Sequence, residues 1–340
     1  MTERHFVPSQ YHAHLMQTTQ PELAWRGQSF EAWKAQLLPR LRVLIGDMPT
    51  QRPPLNVEEL EREEFDNYTR TKLVFTSEPY ADVPAYLLVP KGIDGPTPAM
   101  VCLQGHTDGM HVSAGIGRSE EDRFLIGEDL DHAVQAVENG FIGLAIEMRC
   151  FGERAETLQE PRSPHGCFDA VVHSLMLGRT QAGERVWDVM RAIDLLETMP
   201  EVDMSRVACV GNSGGATVTF YATILDERLA LGVPSCAFCT FAGAIMRIYH
   251  CSDHYIPGVL KVAEMGDLAG LIAPRKLLIV AGTHDLAFPI EEVRKAYENA
   301  RRIFEAAGCP ENIELYVGAL GHRFYADDCW PIIRRMLGCK

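Results

Sequence analysis

The sequence has no apolar run long enough to cross a bilayer; the longest, such as Phe141 to Ile146 and Leu277 to Ala281, are strand-sized. It is also short of positive charge, with 32 Lys and Arg against 46 Asp and Glu and a formal net charge of −14. So acidic a surface repels nucleic acid and anionic membranes and favours solubility, so neither is expected as a partner. The first residues, Met1 to Phe6, lack the basic end and apolar stretch of a signal peptide, and a cytoplasmic location is expected. There is no internal repeat and no low-complexity segment. Ten cysteines are spread along the chain, and without a secretion signal they read as free thiols. Cys236 and Cys239 form a lone CxxC, with no second pair or HxxxH to complete a zinc site. No metal and no cofactor are expected.

What is present is core material: 46% of the residues are hydrophobic and 23% charged, enough to bury a large core in 340 residues. Residues 1–60 read as a helical extension packed on the core, with an apolar cluster at Leu37, Leu38, Leu41, Val43 and Leu44 and a stop at Pro53-Pro54. Residues 61–340 read as one catalytic domain. It opens with two strands, Thr71 to Thr76 and Val83 to Val89, around the turn residues Ser77 to Asp82. Short unbroken apolar runs then recur at Ala99–Leu103, Phe141–Ile146, Arg206–Val210, Leu277–Val280 and Ile313–Val317. Such runs predict parallel strands buried on both faces. Between them, Val186 to Leu196 and Val293 to Ala307 carry single apolar stripes of helical period. The alternation predicts an α/β fold with a doubly wound, mostly parallel sheet. Two segments break it and read as long loop insertions over the strand ends: 150–183, with Pro161 and Pro164, and 234–273, rich in aromatic and small residues.

The chemistry-bearing motif is Gly211-Asn212-Ser213-Gly214-Gly215, placed after an apolar strand and before helix-compatible sequence. This is G-x-S-x-G in the strand–turn–helix setting of a nucleophile elbow. The serine occupies a strained turn, and the positions two before and two after it must be small to let the chain pass. Ser113 has no glycine two residues before it and is set aside. A serine hydroxyl needs a base, and the base an orienting acid, in the chain order Ser, Asp/Glu, His. Asp285, just after the run at 277–280, is the candidate acid, and His322, just after the run at 313–317, the candidate base. His284 reads as a bystander, and Asp327 and Asp328 as solvated. The oxyanion donors are expected to be the backbone N–H of Gly214 and that of His106 or Thr107, in the 104–107 loop. Arg149, Glu153 and Arg154 read as a salt-bridge network rather than substrate contacts.

These motifs resemble the acetyl xylan esterase-like and dienelactone hydrolase-like branch of the α/β-hydrolases. The resemblance rests on Leu103-Gln-Gly-His-Thr, Glu147-Met-Arg-Cys-Phe-Gly-Glu-Arg, Gly183-Glu-Arg-Val-Trp-Asp, the Ser213 elbow, Leu271-Ile-Ala-Pro-Arg-Lys, His284-Asp-Leu-Ala-Phe-Pro and Gly321-His-Arg-Phe, over roughly residues 65 to 340. Cys150 departs from the pattern, since relatives usually carry glycine after the arginine. The resemblance implies hydrolysis of carboxylic esters, such as deacetylation of small acylated sugars, with the family's serine, acid and histidine falling on Ser213, Asp285 and His322. A small-molecule ester is the expected partner, and a homo-oligomer is left open. A serine peptidase of the prolyl-oligopeptidase type and a non-catalytic binding protein of the same fold are the alternatives.

Overall fold

The structure, a computed structural model, describes residues 4–156 and 167–339. The strands are β1 (Glu58–Glu64), β2 (Tyr68–Glu78), β3 (Ala81–Pro90), β4 (Thr97–Leu103), β5 (Ile142–Ile146), β6 (Val202–Asn212), β7 (Leu231–Ser235), β8 (Lys276–Gly282) and β9 (Ile313–Gly318). They form one sheet in the order β1-β2-β3-β5-β4-β6-β7-β8-β9. The six strands from β5 to β9 in that row pair in parallel, while β1, β2 and β3 join antiparallel at one side. β4, β5 and β7 are buried at every residue, as a sheet covered on both faces requires.

The helices are α1 (Pro8–Thr18), α2 (Phe30–Leu44), α3 (Glu120–Gly127), α4 (His132–Glu138), α5 (Phe168–Met176), α6 (Gln181–Glu197), α7 (Gly214–Leu225), α8 (Met265–Gly270), α9 (Ile290–Ala306) and α10 (Ala326–Leu337). Successive side chains of a strand point to opposite faces, so one strand feeds two cores. Along β4, Ala99, Val101 and Leu103 pack into the larger core with α2, α6, α7, α8 and α9. Met100 and Cys102 pack into the other with α4 and α10. From β4 the chain moves outward to β5 and then crosses back to β6 on β4's other side. That reversal opens a crevice at the carboxyl ends of β4 and β6, where open α/β sheets bind ligands.

The structure departs from the sequence expectations in four places. Residues 58–60, expected to be helical, belong to β1, an acidic and wholly exposed edge strand with no apolar alternation to announce it. β7 lies partly inside the segment read as the second insertion, because Gly232 and Pro234 look like loop residues; it is nevertheless buried between β6 and β8. The same segment is not one loop: it holds a π-helical turn at Phe241–Ile245, 3₁₀ turns at Ser252–His254 and Val259–Lys261, and α8. The first insertion contains α5 and the start of α6, and its Pro161 and Pro164 lie outside the described residues.

Candidate active site

Ser213 ends β6 and begins α7, with φ 55° and ψ −118°. An L residue rarely takes such a conformation, and holding one costs about 1–3 kcal/mol. Its surroundings enforce it. The Ser213 N–H donates to the Ser235 carbonyl at 2.9 Å, and its own carbonyl accepts from the Thr217 N–H at 3.1 Å. Both flanking glycines are dictated by backbone contact. A Cβ on Gly211 would lie 2.5 Å from the Gly215 carbonyl carbon, and one on Gly215 would lie 2.4 Å from the Gln104 carbonyl oxygen.

Asp285 follows β8 and is buried, and its Oδ1 accepts from the N–H groups of Ala287 at 2.8 Å and Phe288 at 3.1 Å. Its Oδ2 lies 2.8 Å from His322 Nδ1. Burial alone would raise this carboxyl's pKa; the bond to His322 and the two backbone donors outweigh it and hold the pKa below the ordinary range. His322 follows β9, is part-exposed, and stacks on the Phe288 ring at 5.9 Å. Ser213 and His322 line the same cavity, about 450 Å³ in volume, together with His106, Phe151 and His254. His284 is exposed, Asp327 and Asp328 are exposed at the start of α10, and Ser113 is fully buried outside that cavity's lining.

The 104–107 loop follows β4. The Thr107 N–H donates to the Gly105 carbonyl at 2.9 Å, which leaves the His106 N–H as the freer of the two candidate donors. The Gly214 N–H is one of the first four of α7, which have no partner inside the helix. The His106 side chain lies over this helix start, where a Cβ on Gly214 would come 2.9 Å from its Cε1.

Sequence reasoning passed over two features of the site. The first is Glu147, at the end of β5. Its Oε1 accepts from Gln104 Nε2 at 2.6 Å and from the Met110 N–H at 3.0 Å, so this carboxyl ties the loop after β4 to the neighbouring strand. Burial pushes its pKa up to about 7, against the pull of the Met110 and Glu153 N–H groups. Glu147 stands in one of the motifs that carry the family resemblance, but nothing in its local sequence reveals that its carboxyl reaches across to the loop after β4. The second is a group of possible metal ligands, His106, Cys167, Cys251 and Asp253, whose ligand atoms all lie within 4.8 Å of one another. They come from three distant segments, so no local spacing reveals them. A second such group, Cys236, Asp285 and His322, shares its acid and imidazole with the pair just described.

The expected ion network is present. Arg149 contacts Glu78, Glu184 and Asp188, Arg154 contacts Asp188, and Glu153 pairs with Lys72. The ten cysteines are free, Cys236 and Cys239 among the buried ones. Among the described residues no helix is long and apolar enough to cross a membrane.

Comparisons with known proteins agree with this architecture. The chain is 25% identical over 297 residues to a provisionally named hydrolase, YtaP, of Bacillus subtilis (strain 168), covering 85% of this chain and 94% of that protein. Its fold superposes on the crystal structure of a provisionally named acetyl xylan esterase from Bacteroides fragilis NCTC 9343 with a TM-score of 0.81 at 18% identity, covering 98% of this chain and 96% of that one. A glucuronoyl esterase from Solibacter usitatus superposes with a TM-score of 0.67 at 16% identity, over 93% and 96% of the two chains. The sequence profile of the Abhydrolase family matches residues 3–229, and with the sheet order and the strand–turn–helix at Ser213 it shows that the chain belongs to this family of α/β-hydrolases.

Proposed function

We propose that the protein hydrolyses carboxylic esters through an acyl-enzyme on Ser213, with His322 as general base and Asp285 as its orienting acid. The observation that carries this reading is the shared cavity: a strained serine at a helix start and a histidine fixed by a buried carboxylate line one space of about 450 Å³. His322 takes the Ser213 proton as the hydroxyl attacks the ester carbonyl, and returns it to the departing alcohol. The Gly214 and His106 N–H groups stabilise the oxyanion. Water then releases the acid by the reverse sequence.

The substrates are small acylated sugars or similar esters, and acetyl is the acyl group best matched to the site. The names of the structural neighbours, esterases of acetylated and glucuronoyl substrates, support this class. The cavity is at the smaller end of those that enclose a small molecule, which favours a short acyl group. Ser213→Ala is expected to abolish turnover of a short-chain aryl ester while leaving the thermal transition in place. Near-wild-type activity in that variant would refute the reading. A series of esters from acetyl to aromatic acyl should show kcat/KM falling as the acyl group grows. Cleavage of dipeptide amides in place of esters would instead favour a peptidase.

A further inference from the structure

We propose that His106, Cys167, Cys251 and Asp253 form a binding site for a soft divalent cation of the zinc class, at the wall of the catalytic cavity. The four come from the loop after β4, from the residue preceding α5, and from the 3₁₀ turn at Ser252–His254 with its leading residue. Three of them, His106, Cys167 and Cys251, line the cavity that holds Ser213 and His322.

Three observations carry the inference. The first is geometry. Zinc bonds of about 2.0–2.3 Å in a tetrahedron put neighbouring ligand atoms about 3.3–3.8 Å apart. His106 Nε2 lies 3.5 Å from Asp253 Oδ2, and Cys167 Sγ lies 3.8 Å from the same oxygen. All four ligand atoms lie within 4.8 Å of one another, so a modest inward shift of the side chains would close the remaining edges.

The second is charge. Asp253 is buried and faces the Arg185 guanidinium, itself buried. When a divalent cation binds, Cys167 and Cys251 each release one proton to solvent. Two thiolates and one carboxylate then balance one dication and one guanidinium, and the neutral His106 ring adds no charge. A site with balanced charge, its Asp253 and Arg185 buried, avoids the cost of isolated buried ions.

The third is support around the ligands. Arg185 Nη2 donates to Cys167 Sγ at 3.3 Å, an outer contact of the kind that holds a thiolate ligand in place. Asp253 Oδ2, the oxygen nearest His106 and Cys167, also accepts from Arg185 Nη1, which fixes the carboxylate, while its Oδ1 is buried without a hydrogen-bond partner. The donor set of two sulfurs, one imidazole and one carboxylate selects zinc-like ions over magnesium or calcium.

This site goes beyond the ester-hydrolysis reading and does not depend on it. It does meet that reading at His106. A cation fixed on its Nε2 would hold the loop whose N–H faces the oxyanion and would narrow the cavity.

Cobalt(II) is the probe, since it takes the same tetrahedral sites and absorbs where zinc is silent. The full chain, stripped of metal and with thiols reduced, should bind one equivalent and show a thiolate-to-cobalt charge-transfer band in the near ultraviolet. One equivalent of zinc should remove that band. Cys251→Ser should lower its intensity by about half, His106→Ala should weaken binding by at least about tenfold, and Cys309→Ser should leave it unchanged. Absence of the band in the reduced wild-type protein, or its persistence in the Cys167→Ser, Cys251→Ser double variant, overturns the site. Inhibition of ester turnover by zinc, relieved by a chelator, is expected besides. Only that last readout depends on the role of Ser213, so a protein that fails to hydrolyse esters still decides the question by its spectrum.

Discussion

Two carboxyl groups near the cavity have opposite fates because their partners differ. Asp285 has a histidine and two backbone donors, and its charged form is favoured. Asp285→Asn keeps the side chain's shape and one acceptor oxygen for the N–H groups of Ala287 and Phe288. It puts an amide donor against His322 Nδ1 and so favours the wrong imidazole tautomer. The expected result is a loss of kcat of about 10⁴-fold with little change in the melting transition. A decline of less than about tenfold would remove Asp285 from the proposed triad. Glu147 has backbone donors and a weaker pull from Arg154, which together do not offset its burial, and its pKa is raised to about 7 from an ordinary 4.5. A carboxyl raised in the folded state contributes its full stability below pH 4.5, and that contribution is lost as pH climbs toward 7. At about 1.4 kcal/mol per unit the loss approaches roughly 3 kcal/mol. Glu147→Gln should therefore narrow the gap in urea-unfolding free energy between pH 5 and pH 8 by that order. An unchanged gap would show that Glu147 does not titrate in this interval.

At the scale of elements, α1 and α2 share the first 60 residues but differ in what they bury. α1 has no buried residue. α2 buries Trp33, Leu37 and Leu41 in the larger core, while Val43, part of the same apolar cluster in sequence, is exposed. Leu37→Ala should cost about 2–5 kcal/mol, as in any filled core. Tyr11→Ala on α1 should stay within about 0.5 kcal/mol. Equal costs in the two variants, measured by denaturant titration, would mean that α2 is no more integral than α1. The elements that were legible from sequence share one property: their burial leaves a local trace. β4 and β8 are unbroken apolar runs, and α9 carries one stripe. The elbow was legible because steric exclusion selects glycine at 211 and 215. β1 pairs along one side with β2 and carries five glutamates among its seven residues, with no apolar alternation. β7 is held by its neighbours despite Gly232 and Pro234. The four proposed metal ligands are brought together by folding, and no short-range pattern encodes a meeting of residues 106, 167, 251 and 253.

For the whole molecule, the sheet separates framework from chemistry. The candidate nucleophile, acid and base each follow a different parallel strand, β6, β8 and β9, and the candidate oxyanion loop follows β4. All therefore emerge at one rim, while both cores lie behind them. The edge strand β1 shows the opposite logic. It is exposed at every residue, and its run of glutamates repels a second sheet that would otherwise add to its open side.

The ion network beside the first insertion gives the fold a thermal character. Asp188 is buried and bonded to Arg149 and Arg154, and Glu78 bridges Arg149 to Arg179. The hydration of ions weakens on heating, so such a lattice is least useful in the cold and gains weight as temperature rises. Asp188→Asn should accordingly lower the melting temperature by more than its loss of stability at 25 °C would foretell. The clamp between β2, α6 and the segment after β5 is thus one that tightens, relative to the apolar core, as the protein is warmed.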